Sequence, residues 1–264
     1  MSMLAELSAA LWAETLKARR VRMPLLTLAG FSLAPLVGAL FMKILLDRTW
    51  AARFGALTTK AQFSAAHGDW PTYLGLLTQA LAVGGFIVFT LVVIWLFGRE
   101  FSDQTAKDLL ALPTPRAAMV TAKLLLATCW CALLALWIYL LGLALGALLR
   151  LPGWTTDGWL RATAVYAATA SLTIALTLPL ALAASAGRGY LPAIGAMVLL
   201  VFLAQILSVL GLGPWFPWAA PALLSGAAGS DAQNLGMGSY LFTAAVVAGC
   251  VAGLVVWWRD ADHI

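Results

Sequence analysis

Apolar runs long enough to cross a bilayer alternate with short polar connections along this chain. Spanning the hydrocarbon layer as a helix takes about 20 mostly apolar residues. Six stretches reach that length: Pro24 to Leu46, Tyr73 to Phe97, Met119 to Leu149, Ala162 to Ala186, Tyr190 to Leu212 and Tyr240 to Trp258. The third is overlong, so it begins past Lys123, tilts, or continues beyond the bilayer as a helix. Pro179 and Pro192 are positioned to kink the fourth and fifth spans. The pattern predicts an all-α integral membrane protein with six transmembrane helices and one membrane domain over 1–264, its bundle occupying 24–258 and a short tail 259–264.

Ahead of the first span, Leu4, Leu7 and Leu11 share one helical face, Glu6, Glu14 and Lys17 lie elsewhere, and the basic cluster Lys17, Arg19, Arg20, Arg22 follows. A secretory signal would place its positive charge before a short apolar region and end at a small-residue cleavage site. The order here predicts instead an interfacial helix over 1–23 lying on the cytoplasmic face. Two connections are long. Asp47 to Thr72 is polar enough for an external loop with a short helix. Gly211 to Ser239 is apolar and aromatic, contains no Lys or Arg, and is broken by Pro214, Pro217 and Pro221. Such proline density does not suit a lipid-exposed helix. Short re-entrant or interfacial helices on the outer leaflet are the preferred reading, and a Trp-anchored interfacial loop is the alternative. "GLALG" at 142–146 and "GCVAG" at 249–253 have the small-xxx-small spacing that lets helix backbones approach closely.

Composition agrees with the pattern. The 264 residues are 62% hydrophobic and only 10% charged, with a mean hydropathy of +0.93, far from the roughly 25% charged residues of a soluble domain. The net charge of +5 comes from residues at span ends, where they set orientation and meet anionic headgroups. No basic stripe interleaved with aromatics suggests nucleic acid. On a six-span topology one side holds Lys17, Arg19, Arg20, Arg22, Arg99, Lys107, Arg116, Lys123, Arg188 and Arg259, and the other holds Lys43, Arg48, Arg53, Lys60, Arg150 and Arg161. The positive-inside rule then puts both termini in the cytoplasm. Cys129, Cys131 and Cys250 all fall in apolar runs, which argues against a disulfide framework, and His67 and His263 are far apart in polar flanks.

The polar stretch "GREFSDQTAKDLLALPTPR", Gly98 to Arg116, interrupts the pattern with six charged residues between the second and third spans. Phe101, Thr105, Leu109 and Leu112 recur at three- and four-residue spacing with Leu110 beside them, while Ser102, Asp103, Gln104, Lys107 and Asp108 take the other faces. This is the signature of a short amphipathic helix. Ser102 or Asp103 is placed to cap its start, and Pro113 with Pro115 to stop it. A helix lying on headgroups would favour Lys and Arg on its polar face, whereas Glu100, Asp103 and Asp108 here balance Arg99, Lys107 and Arg116. That balance favours docking into a groove on another protein over adsorption to lipid.

The run "GREFSDQTAKDLLALPTPRAAMVTAKLL" resembles the signature of ABC-2 type transporter permeases through Glu100, Thr105, Leu109, Leu110, Pro113, Arg116 and Lys123. "LWAETLKARRVR" before the first span, six spans in this length and a helical outer excursion before the last are also similar. Where that family commonly has Gly before the Thr, this chain has Gln104. The resemblance implies a bacterial inner-membrane permease, with Gly98 to Pro113 as a coupling helix. Glu100, Phe101, Asp103, Thr105, Leu109, Leu110, Pro113 and Arg116 would then contact a separate ATP-binding subunit that carries ATP and Mg, beside a second, identical or different, permease. It also implies export, often of antibiotics, peptides or lipids.

No G-x-x-x-x-G-K-[ST] loop occurs, so nucleotide hydrolysis would have to come from another polypeptide, and no protease constellation stands in the spans. The chain therefore reads as a non-catalytic subunit without a cofactor of its own. Ion coupling would want ionisable groups near the midplane, and Lys43 and Lys123 are expected to snorkel at span ends. The strong polar groups within spans, Thr78 and Gln79 in the second, Gln205 and Ser208 in the fifth, are candidates for a translocation path, and interhelical hydrogen bonds explain them equally well. So apolar a lining suits an amphipathic or lipidic cargo. A membrane-embedded immunity or scaffold protein needs none of this chemistry and is the other reading.

Overall fold

The computed structural model describes residues 3–47, 67–105, 115–228 and 235–260. Among them six helical stretches are long and apolar enough to span a membrane. A helix ahead of them, α1 (Met3–Arg19), turns at 20–22 into α2 (Met23–Leu46), the first span. The second span is one continuous rod in three parts: α3 (Trp70–Ala80), a π-helical turn (Leu81–Gly85) and α4 (Phe86–Ser102). The third is α5 (Arg116–Leu148), and the fourth is α6 (Thr156–Thr177) with α7 (Pro179–Ala186). The fifth is α8 (Tyr190–Val209); two 3-10 turns, Gly213–Trp215 and Pro217–Ala219, and the short α9 (Ala220–Leu224) precede the sixth, α10 (Met237–Arg259).

The second span is the axis of the bundle. Of its most apolar window 61% is buried, against 11% for the fifth span and 17% for the sixth, so the chain packs around α3–α4 and leaves α8 and α10 at the edge. Leu77, Leu81, Phe89, Val92, Val93 and Phe97 carry this core. The π turn sits beside Phe31 of α2, whose ring meets Phe89 edge to face at 5.4 Å; a Cβ on Gly85 would come within 3.2 Å of the Phe31 ring. The glycine pair of "LAVGG" thus admits an aromatic side chain from the neighbouring helix.

Several expectations are revised. The second helix does not stop at Phe97 but runs to Ser102. Ser102 therefore ends the span rather than starting a new helix, and Asp103 caps the C-terminus. The third span is an unbroken 33-residue helix, about 50 Å long at 1.5 Å per residue and so well beyond a hydrocarbon layer of about 30 Å. Pro179 does interrupt the fourth span. Pro192, however, lies in the first turn of α8, where a missing N–H costs nothing. Each proline of the 211–239 excursion likewise falls at the first or second position of a short turn. That excursion is fixed by Trp218, whose indole donates to the Leu176 carbonyl at 3.0 Å, just before the Pro179 break. Most of the expected outer loop Asp47 to Thr72 lies outside the described residues, as do Leu109, Leu110, Pro113 and His263.

The two glycine pairs differ in use. A Cβ on Gly142 would fall 2.3 Å from Leu77, and one on Gly146 would fall 2.6 Å from Trp70, whereas Gly249 has open space and Gly253 only a 3.7 Å neighbour. Gly146→Val is expected to lower stability by about 1–3 kcal/mol through overpacking, and Gly249→Val by less than about 0.5 kcal/mol. Unfolding of the detergent-solubilised protein by sodium dodecyl sulfate measures both.

Candidate functional site

The charged residues that surround the second span's end form a closed ring. Glu14 and Lys17 lie three residues apart on α1, Glu100 near the end of α4, and Lys123 two turns into α5. Lys123 Nζ lies 2.9 Å from both Glu14 Oε2 and Glu100 Oε1 and donates a third bond to the Leu96 carbonyl at 3.1 Å. Lys17 Nζ lies 2.8 Å from Glu14 Oε1 and 3.1 Å from Glu100 Oε1. The four groups alternate in sign and sum to zero charge.

Lys123 is 1% exposed, Glu100 2% and Glu14 7%. Charges at that depth survive only if each is paired and hydrogen-bonded, and the ring does both: all three ammonium protons of Lys123 have acceptors, and each carboxylate oxygen is used. The last, Glu100 Oε2, accepts from Thr105 Oγ1 at 2.7 Å. Burial alone would lower the proton affinity of Lys17, but the Glu14 and Glu100 carboxylates outweigh it and hold its ammonium above the ordinary value. The stability Lys17 contributes is therefore complete below the ordinary lysine range and is lost only as pH rises through the elevated value. The space among Glu14, Lys17, Trp95, Leu96, Arg99 and Glu100 holds no water-sized void, so the ring is a clamp and not a ligand pocket.

The Glu–Thr pair of the loop signature now has a physical reason. After Ser102 the chain turns through Gln104 in the left-handed region, φ 57°, and this brings Thr105 back onto Glu100, five residues earlier. A glycine would enter that conformation without strain; Gln104 occupies it at some cost.

Around the ring, Phe101 packs against Trp257 and Trp258 with ring centroids 5.8 and 5.9 Å apart, and Trp258 donates to Ser185 Oγ at 3.0 Å. Arg99 pairs with Asp103 at 3.5 Å and lies over the Trp95 ring. Arg116 donates to the Arg259 carbonyl at 2.9 Å. Of the residues expected to dock on a partner, Asp103 and Thr105 are exposed, Phe101 and Arg116 half-buried, and Glu100 is inside the protein. Glu100 is thus unavailable as a surface charge. Lys123 does not snorkel, and Glu14 faces the bundle across α1 from the exposed Trp12. Two sequence signals point to this arrangement: Glu14, Lys17 and Ala18 form a stripe opposite Trp12, and Lys123 sits inside a run too long for the bilayer.

The four path candidates have different surroundings. Thr78 is buried and donates to the Leu74 carbonyl. Gln79 is half-buried near Gly226. Ser208 donates to the Ala204 carbonyl, and Gln205 is exposed on the outward face of α8. Among the described residues no group of three His, Cys, Asp or Glu could hold a metal.

Six membrane-length helices around a locked, charge-neutral end define a multi-pass membrane protein. Sequence comparison carries this further. The family described as "ABC-2 family transporter protein" matches residues 10–205, about three quarters of the chain, and the chain belongs to that family. It is a membrane subunit of an ABC transporter. The match contains all four ring residues and ends within α8, before the outer turns and α10. The chain is also similar to the bacitracin transport permease protein BCRB of Bacillus licheniformis, with 23% identity over 159 residues, covering 60% of this chain and 74% of that protein.

Removing one member of the ring strands a buried charge. Lys123→Met is expected to destabilise by about 3–5 kcal/mol, and adding Glu100→Gln, which restores neutrality, to cost at least about 1 kcal/mol less than the sum of the single changes. Chemical denaturation of the four proteins of this cycle reads the coupling. By the same method Gln104→Gly is expected to stabilise by up to about 1 kcal/mol through relief of the left-handed turn.

Proposed function

We propose that this chain is the permease half of an ATP-driven exporter in a bacterial inner membrane, with both termini cytoplasmic and the charge ring at the cytoplasmic end. The observation that carries the reading is how the residues on either side of 106–114 are tied into the bundle. On one side Thr105 is bonded to Glu100; on the other Arg116 opens α5 and is bonded to the last turn of α10. Displacement of the segment would therefore pull on α1, α4, α5 and α10 together. Such a linkage suits a segment pressed into a cleft of a separate ATP-binding subunit, which would hold ATP and Mg. In this reading Glu100 and Phe101 are inward anchors, and Asp103, Leu109, Leu110 and Pro113 supply the docking surface.

A second permease, identical or not, would cover the exposed face of α8, where Gln205 stands among Leu199, Phe202 and Ile206. Two such faces would bring Gln205 and Ser208 to a shared path, while Thr78 and Gln79 approach it from the second span. The small number of strong polar groups among the described span residues supports an amphipathic cargo, and the relative named for bacitracin transport supports a transport role.

The test is co-purification in detergent with the ATP-binding subunit encoded beside this chain, comparing wild type with Leu109→Asp/Leu110→Asp. The wild type is expected to retain an active ATPase, and the variant to insert normally and lose at least about 90% of it, as a charge placed in an apolar docking groove would require. A variant that binds like wild type removes the docking assignment. A wild type that brings down no ATPase returns the chain to the immunity or scaffold reading.

A further inference from the structure

Several cations at the charge-ring end of the bundle are engaged with the protein itself. Lys17 and Lys123 close the ring, Arg99 pairs with Asp103, and Arg116 donates to the Arg259 carbonyl. The corner between α1 and α2 differs. Arg19, the last residue of α1, and Arg20 and Arg22 in the turn are all exposed, and none of their side chains has a hydrogen bond or ion pair among the described residues. No Asp or Glu occurs between Glu14, which the ring consumes, and Asp47. Three uncompensated guanidiniums therefore stand within four positions, at most about 11 Å of chain.

Apolar surface continues directly from this cationic corner. On α2 the exposed side chains Leu25, Leu26, Leu33, Leu36, Val37 and Leu40 follow the three- and four-residue spacing of one helix face, and α2 is long and apolar enough to span a membrane. On α1, Trp12 stands two turns before Arg19 on the same face and is 69% exposed, as suits an indole at headgroup depth.

We propose that the α1–α2 corner is a binding site for an anionic phospholipid, whose phosphodiester is held by Arg19, Arg20 and Arg22 and whose acyl chains lie along the α2 stripe. A guanidinium takes phosphate oxygens two at a time, and each basic residue at a membrane surface strengthens binding to anionic lipid by about fivefold. An acidic protein surface would also satisfy the arginines, but it would leave the adjoining stripe without an occupant; one lipid molecule meets both. The site is more than the general attraction of span-end cations to headgroups. Arg188, in the α7–α8 turn at the same end of the bundle, is exposed too, but no other Lys or Arg lies between Arg161 and Arg259, so it provides the comparison. The corner does not include the docking segment, and its occupancy can be read whether or not an ATPase partner exists.

The test is native mass spectrometry of the full-length detergent-purified protein titrated with dioleoylphosphatidylglycerol or with zwitterionic dioleoylphosphatidylcholine. Wild type is expected to bind the first phosphatidylglycerol at least about tenfold more tightly, and to lose that preference as ammonium acetate rises from about 0.1 to about 1 M, where charges are screened beyond about 3 Å. Arg20→Gln is expected to weaken phosphatidylglycerol about fivefold, Arg19→Gln/Arg20→Gln/Arg22→Gln to abolish the preference, and Arg188→Gln to change neither lipid. The single Arg20→Gln change keeps most of the segment's charge, so it decides the matter should the triple variant fail to insert. Glycerol 3-phosphate at the same concentration is expected not to displace the lipid, since it has no chains for the stripe. Equal binding of both lipids by wild type, binding by Arg20→Gln like wild type, an equal loss from Arg188→Gln, or displacement by glycerol 3-phosphate overturns the proposal. A wild type without lipid preference whose triple variant loses the ATP-binding subunit also overturns it, and assigns the arginines to a protein contact.

Discussion

A lysine ammonium at the end of a membrane bundle, cut off from water, must find three acceptors and a compensating negative charge within the protein. Lys123 meets that demand from three directions: Glu14 on α1, Glu100 on α4 and a backbone carbonyl of α4. The requirement explains features that are otherwise unconnected. It holds α1 against α5. It extends the second span past its apolar stretch to Ser102, because Glu100 has to be carried on a rigid helix to reach the ring. It also selects a threonine at position 105, since Glu100 Oε2 would otherwise be the one carboxylate oxygen of the ring without a donor.

A satisfied buried network of this kind adds little net stability over apolar packing, but it is unforgiving of partial loss. Its effect is specification: α1, α4 and α5 have one register in which all four charges close. The apolar remainder of the bundle is less demanding. Leu, Ala and Val surfaces pack in many ways, and close approach is imposed at few places, such as Gly142 and Gly146 against Leu77 and Trp70. The fifth and sixth spans, with few buried residues, pack on α4, α5 and α7, with indole hydrogen bonds near their ends from Trp258 to Ser185 and from Trp218 to the Leu176 carbonyl.

The number of spans and their centres were legible in the sequence because a bilayer imposes a length that composition alone reveals. The ends were not. Apolar periodicity stops at Phe97, yet the helix continues, since what holds Gly98 to Ser102 helical is a set of partners distant in the chain: Tyr190, Trp257, Trp258, Lys17 and Lys123. The loop signature was visible, but the division of labour inside it was not. Charge balance suggested a surface for Glu100, and only the positions of Lys17 and Lys123 turn it inward. The contacts of Trp154 with Trp70 and Trp159 left no one-dimensional trace at all, because the three residues come from two segments of the chain that meet only once the second and fourth spans are packed.

The π turn at Leu81–Gly85 stands between these two ends of the same rod. It accommodates one residue more than an α-helical turn would, and each residue of an α-helix advances the azimuth by about 100°. The two halves of the second span are therefore out of phase by that angle relative to an uninterrupted helix. The orientation that sends Glu100 toward Lys123 and the one that sends Gly75 and Thr78 toward the cavity they line with Trp159 are reconciled at this single turn. With regular α geometry at this turn, Glu100 and the Gly75–Thr78 face could not both meet the partners they have, so one inserted residue in the middle of the span fixes the relative orientation of its two ends.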